Sequence, residues 1–437
     1  RNWEYFSEDP FFSGELAVPY IQGVQSQGVA SCVKHFALNS QAYNQYKVSV
    51  EVDERTLHEI YLPAFEAAIQ RGGAMAAMAA YNKVRGLWCT ESPYLLDTLL
   101  RDELGFDGLV VSDWNAVHNT ERTALCGMDV EMGTSIKENG KYAFNKYYLA
   151  DPLLKKVRNG EIPEEAVNKK VRNILKLMIR LDLIGQVPYD TTGMAAKLAI
   201  PAHTKAAREI AEESLVLLKN SKDMLPLDPA QYKNVAVIGA NATEVFAAGG
   251  GSTKLKAKYE VTPLEGLQNL LDGKARIEYA PGYQLSKKVG HWFTNEFDKS
   301  DEELYKKAIN TAAQAELVIY IGGTSHEHGS DCEGYDKPNL KLPYQQDRLL
   351  KGILEVNPNT VVVLISGGPV EIGEWYNDAT ALLHGSFLGM EGGNALARTL
   401  FGEVNPSGKL TTTWCKRLED MPDHVFGEYP GINDTVR

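Results

Sequence analysis

Apolar positions in the first part of the chain follow two periods. Residues 12–27 repeat them at helical spacing, and 55–71 puts Leu57, Ile60, Leu62, Phe65, Ala68 and Ile69 on one helical face. Residues 92–103 read as a further helix, with Ser92 as N-cap and Pro93 at its first position. Between these lie short apolar runs at 29–36, 74–80, 109–111 and 126–132. They are too short for helices and fit buried strands. Polar residues gather where the strands end, which is the signature of parallel βα units.

The second part repeats the alternation. Residues 157–184 and 206–219 are expected to be helical. The turn-rich stretch between them, with Gly185, Pro188, Thr191, Thr192 and Gly193, reads as a linker. After Leu225-Pro226-Leu227, near-continuous apolar runs at 235–239, 317–320 and 361–365 fit strands covered on both faces. Helices at 301–315, 344–355 and 392–401 alternate with them. The expected division is a barrel-like α/β domain over 1–185, a linker over 186–204 and a second α/β domain over 205–437.

Composition sets further bounds. A chain of 437 residues favours two domains, and 44% hydrophobic with 23% charged residues describes a globular protein. A net charge of −12 argues against nucleic acid as a partner. No apolar run reaches transmembrane length, so no membrane partner is expected. The five cysteines are scattered and form no CxxC pair, so they suggest neither a disulfide framework nor a zinc site. The chain begins at Arg1 rather than Met, so an earlier segment is expected.

The chemistry gathers in a few places. Leu109-Val110-Val111 ends abruptly in Ser112-Asp113-Trp114. A carboxylate and an indole at the C-terminal tip of a buried strand fit the active face of a parallel barrel. The alternative is an aspartate that N-caps the next helix beside a core tryptophan. Lys34-His35 at a strand end is a cationic, hydrogen-bonding pair suited to hydroxyls, and Tyr81 follows another strand; each has an ordinary structural alternative. The acidic, Gly-punctuated loop 325–336 carries Glu327 and Glu333. Its His326-Glu327-His328 lacks the HExxH spacing of a metal site, so no metal is expected. Gly249-Gly250-Gly251-Ser252 lacks both the P-loop ending and the dinucleotide spacing, and reads as a loop that another backbone approaches closely.

Residues 1–10, Lys34-His35-Phe36-Ala37-Leu38-Asn39, Tyr81-Asn82, 105–114, Glu333-Gly334-Tyr335-Asp336, Glu391-Gly392-Gly393-Asn394 and Asn405-Pro406-Ser407-Gly408-Lys409-Leu410 resemble glycoside hydrolase family 3, in its β-glucosidase branch. The motifs fall in the family's order across nearly the whole chain. The resemblance implies the C-terminal part of a (β/α)8-type barrel followed by an α/β sandwich with a mainly parallel sheet. It implies a retaining exo-acting β-glycosidase, most simply a β-glucosidase, with β-xylosidase as the alternative within the family. Asp113 would be the nucleophile and Glu333 the acid/base. Arg1, Lys34, His35 and Tyr81 would bind the sugar, and Trp114 would stack beside the cleaved bond. No cofactor is implied, and the substrate would be a β-linked oligosaccharide or aryl glucoside.

In the family about a third of the barrel precedes the Arg1-Asn2-Trp3-Glu4 motif, including an early sugar-gripping aspartate. The missing barrel segment is therefore an expected partner, for instance as a second chain, and a non-catalytic carbohydrate-binding fragment is the alternative outside enzymology. The resemblance leaves a homo-oligomer open and favours a periplasmic or secreted location.

Overall fold

The computed structural model describes residues 5–133, 136–185, 192–247, 249–285, 301–326, 330–333, 336–337, 339–425 and 429–436. Contacts divide them into two compact units, 5–185 with 429–436, and 192–425. Both are α/β with mainly parallel sheets.

The first unit is built on three parallel strands, β1 (Cys32–Phe36), β2 (Ala76–Ala79) and β3 (Leu109–Ser112), in that order across the sheet. Cys32 faces Ala76, and Ala76 faces Leu109; β2 and β3 keep one register, whereas β1 carries an extra residue, His35, between Lys34 opposite Met78 and Phe36 opposite Ala79. Val130 adds a single bridge beside Val111. The run 126–132 therefore extends the sheet by one residue pair rather than a full strand. Small residues of β2 let helical turns pack closely, and Phe65, Leu95, Leu96, Leu99 and Leu100 fill the space against Ala77 and Val110. Ser92 does cap its helix, accepting from the Leu95 N–H at 3.2 Å. The expected single helix over 157–184 is two, Asp151–Arg158 and Glu164–Arg180, because Gly160 adopts a left-handed φ of 75° and Pro163 restarts the helix.

The second unit is a six-stranded sheet: β4 (Val216–Asn220), β5 (Asn234–Ile238), β6 (Arg276–Ala280), β7 (Leu317–Gly323), β8 (Thr360–Ile365) and β9 (Ala381–Gly385). Its order is β6-β5-β7-β8-β9-β4, all parallel except the edge strand β4. Every residue of β7, β8 and β9 is buried, because helices cover both faces. Glu302–Gln314 and Gln346–Val356 lie on the face that carries Val318, Tyr320 and Val362. Pro263–Leu271 and Gly392–Leu400 lie on the face that carries Ile319, Val361 and Val363.

One expectation needs correction. The helix expected over 206–219 is Pro201–Ser214, and Val216–Asn220 is a strand. Its apolar run has too few residues to separate the two periods, and the free edge of β9 decides the outcome. The C-terminal segment 429–436 groups with the first unit. There Thr435–Val436 pairs in parallel with Ser49–Val50. The Ser49 and Glu51 N–H groups donate to the carbonyls of Asp434 and Val436, each at 2.7 Å.

Ile319 is fully buried in β7, between two other strands. Ile319→Ala should destabilise the second unit by about 2–5 kcal/mol. Denaturant unfolding followed by a probe in that unit measures it, and a loss under about 1 kcal/mol would mean that the core refills the cavity.

Candidate active site

The three parallel strands end together, and their ends bring three of the expected site residues to one place. Asp113 is the first residue beyond β3, Tyr81 lies two beyond β2, and His35 is within β1. The ladder continues past the strand ends: the Asp113 N–H donates to the Ala79 carbonyl at 3.2 Å, and the Ala80 N–H donates to the Phe36 carbonyl at 2.8 Å. The peptide bonds Lys34–His35 and Phe36–Ala37 are cis.

Asp113 is 5% exposed. Its Oδ2 lies 3.2 Å from His35 Nε2, and its Oδ1 accepts from the Trp114 N–H at 2.8 Å. The Tyr81 hydroxyl lies towards the carboxylate and helps to hold its pKa down. Burial pushes the carboxyl pKa up, but the His35 hydrogen bond and charge, the Trp114 N–H and the Tyr81 hydroxyl outweigh it. The net value lies below the ordinary 3.8. Tyr81 is held neutral: burial first, then the Asp113 charge, pushes its phenol well above the usual range. The site therefore pairs a fixed anion with a neutral donor.

The helix-cap alternative for Asp113 fails. The next helix, Thr120–Leu125, is capped by Asn119, whose side chain accepts from the Arg122 N–H at 2.9 Å. Trp114 is not core: it is 45% exposed, beside a carboxylate that is nearly enclosed. Lys34, next to His35, is exposed. Arg1 and Glu327 lie outside the described residues.

Two tyrosines escaped the sequence reading. Tyr46 meets Tyr81 edge-on with ring centroids 4.6 Å apart. Tyr5 accepts from the His35 N–H at 3.4 Å, and the rings are 6.5 Å apart. Tyr5 had a signal, because it sits in an aromatic loop without period. Tyr46 had none.

Glu333 belongs to the second unit, on the segment that follows β7. It is half-buried, and one carboxylate oxygen, Oε2, accepts from the Ser252 N–H. Two residues earlier, the buried Asp331 accepts from Thr324 Oγ1 at 3.0 Å and from the Gly367 N–H at 2.8 Å, with Lys337 Nζ at 3.5 Å. Among the described residues, no group of three or more His, Cys, Asp or Glu is placed to hold a metal ion.

Because folding lowers the Asp113 pKa, the ionised carboxylate favours the folded state at neutral pH. That contribution is lost as pH falls through 3.8 towards the lowered value. His35→Ala removes the chief lowering interaction and leaves burial in command. The Asp113 pKa should then rise above 3.8, read by carboxyl-carbon NMR titration. A value still below 3.8 would mean that the Trp114 N–H and Tyr81 suffice.

Similarity to known proteins identifies the family of both units. The glycosyl hydrolase family 3 N-terminal domain model matches residues 1–177, and the family 3 C-terminal domain model matches 215–435. A β-glucosidase of Bacteroides ovatus is 40% identical over all of this chain and 58% of its own length. Thermostable β-glucosidase B of Acetivibrio thermocellus is 37% identical over all of this chain and 53% of its own. The chain thus spans little more than half the length of these relatives. The crystal structure of a Bifidobacterium adolescentis family 3 β-glucosidase superposes with a TM-score of 0.85 at 32% identity, covering all of this chain and 59% of that one. On both domain matches and on these relatives, the chain belongs to glycosyl hydrolase family 3.

Proposed function

We propose that this chain carries the catalytic carboxylates of a β-glucosidase that releases glucose from the non-reducing end of β-glucosides with retention. The observation that carries the proposal is Asp113. It is a carboxylate kept ionised by three donors at the end of a parallel strand, with an exposed indole next to it. An anion that does not take up a proton is what a nucleophile at an anomeric carbon requires, and a flat indole fits the apolar face of a sugar. The names of the relatives support the substrate class.

In the first step, an Asp113 oxygen bonds to the anomeric carbon as the glycosidic C–O bond breaks. Glu333 gives its proton to the leaving oxygen. In the second, Glu333 takes a proton from water, the water oxygen bonds to the same carbon, and the bond to Asp113 breaks. Two inversions give retention. The Tyr81 hydroxyl and His35 steady the carboxylate, and Lys34, His35, Tyr81 and Arg1 are assigned to the sugar hydroxyls. Trp114 is assigned to the sugar face beside the cleaved bond. No step calls for a cofactor.

A 2-deoxy-2-fluoro glucoside with a good leaving group should trap an ester on Asp113, found by mass spectrometry of the full-length protein. Asp113→Asn should lower kcat/KM by several orders of magnitude, on the scale of lost covalent catalysis. Labelling of a different carboxylate would overturn the nucleophile assignment. Absence of any turnover by the unmodified full-length protein would favour a carbohydrate-binding role instead.

A further inference from the structure

The glycine run Gly249-Gly250-Gly251-Ser252 has no part in the steps above, yet it lies directly against Glu333. The Ser252 N–H donates to Glu333 Oε2 across 81 residues of sequence. The two glycines before it are required by space. A Cβ on Gly250 would collide with the Cys332 side chain and crowd the His326 carbonyl. A Cβ on Gly251 would collide with both the Cβ and the carboxylate of Glu333. Gly251 also has a φ of +72°, which a side chain disfavours. On the far side, Asp331 pins the same segment to Thr324 and Gly367 at the ends of β7 and β8. The Ser330 hydroxyl ties it to both the N–H and the carbonyl of Ser325, at 2.7 and 3.1 Å.

We propose that Gly250-Gly251-Ser252 is a positioning cradle for Glu333, and that its backbone donor selects the oxygen that carries the catalytic proton. This rests on the assignment of Glu333 as acid/base. A glutamate side chain has three rotatable bonds, and a proton donor must be held close to the atom it protonates. The Ser252 N–H occupies Oε2 and disfavours a proton there, because the hydroxyl oxygen of a protonated carboxyl is a weaker acceptor than its carbonyl oxygen. The exchangeable proton therefore sits on Oε1. The glycines allow the donor to approach and keep other atoms away from the carboxylate. Ser252 and the glycines are positioning residues, acting through Glu333.

The test uses leaving groups of different basicity. Cellobiose needs a proton donor in the first step, whereas a dinitrophenolate leaves without one. Glu333→Ala, Gly251→Ala and Ser252→Pro are made in the full-length protein; the last removes the donor itself. Gly251→Ala and Ser252→Pro should lower kcat/KM for cellobiose by about 10–100-fold, the scale of a misplaced catalytic group. They should change kcat/KM for dinitrophenyl β-glucoside by less than about threefold. Equal losses on both substrates, with or without a lowered melting temperature, would overturn the cradle in favour of a loop that only supports the fold. Wild-type values on both would overturn it too. Glu333→Ala separates the two levels: it should spare the activated substrate's first step, and azide should restore that substrate's turnover. If it does neither, the assignment of Glu333 fails, and the cradle's catalytic role falls with it.

Discussion

A carboxylate enclosed by protein is unfavourable as an anion unless donors replace the water it has lost. Asp113 meets that constraint with a backbone N–H, an imidazole and a phenol. They arrive from three neighbouring strands, and the parallel ladder brings them to the same level. Phe36 pairs with Ala79, and Ala79 with Ser112, so β1, β2 and β3 finish side by side. β1 carries one extra residue there, His35, between Lys34 opposite Met78 and Phe36 opposite Ala79, and this bulge sets the imidazole at the carboxylate. Register, burial and ionisation of Asp113 are therefore one condition.

The second unit applies the same rule to a different sheet. Strands covered on both faces carry few polar side chains along their length, so polar groups collect beyond their C-terminal ends. Gln346 fixes the end of β7: its Oε1 accepts from the Gly323 N–H and the Tyr320 hydroxyl, and its Nε2 donates to the Gly323 carbonyl. Asn241, after β5, donates to the Thr324 carbonyl at 2.8 Å and accepts from Tyr283. The segment that carries Glu333 thus begins from a rigid point.

Legibility in the sequence followed the range of the interactions. Leu109 to Trp114 was readable because a buried strand and its polar tip are adjacent in the chain. Whether Asp113 capped a helix was not, since Asn119 is an equally good cap and only the structure shows which residue meets the free N–H groups. The run 216–220 read as helix because five residues carry too little periodicity, and its strand state depends on Ala381–Gly385 far downstream. Thr435–Val436 is a two-residue strand with no pattern of its own. Tyr46 and the Ser252 donor were invisible for one reason. Their partners, Tyr81 and Glu333, are distant in sequence, and neither residue type announces such a contact.

The two carboxylates are held in different ways, and the proposed chemistry explains the difference. A nucleophile must be ionised at the start of every cycle and never carries the exchanged proton. It gains from enclosure and from many donors, so long as one face stays open to the sugar. Asp113, nearly buried at a strand tip with three donors, has that environment. An acid/base must be protonated in one step and ionised in the next. Three donors would hold it in one state and stall the exchange. Glu333 is half-buried on a loop, and the Ser252 N–H on Oε2 orients it. The glycines of the cradle, which bring one N–H close and offer no side chain, suit the need for position without added polarity.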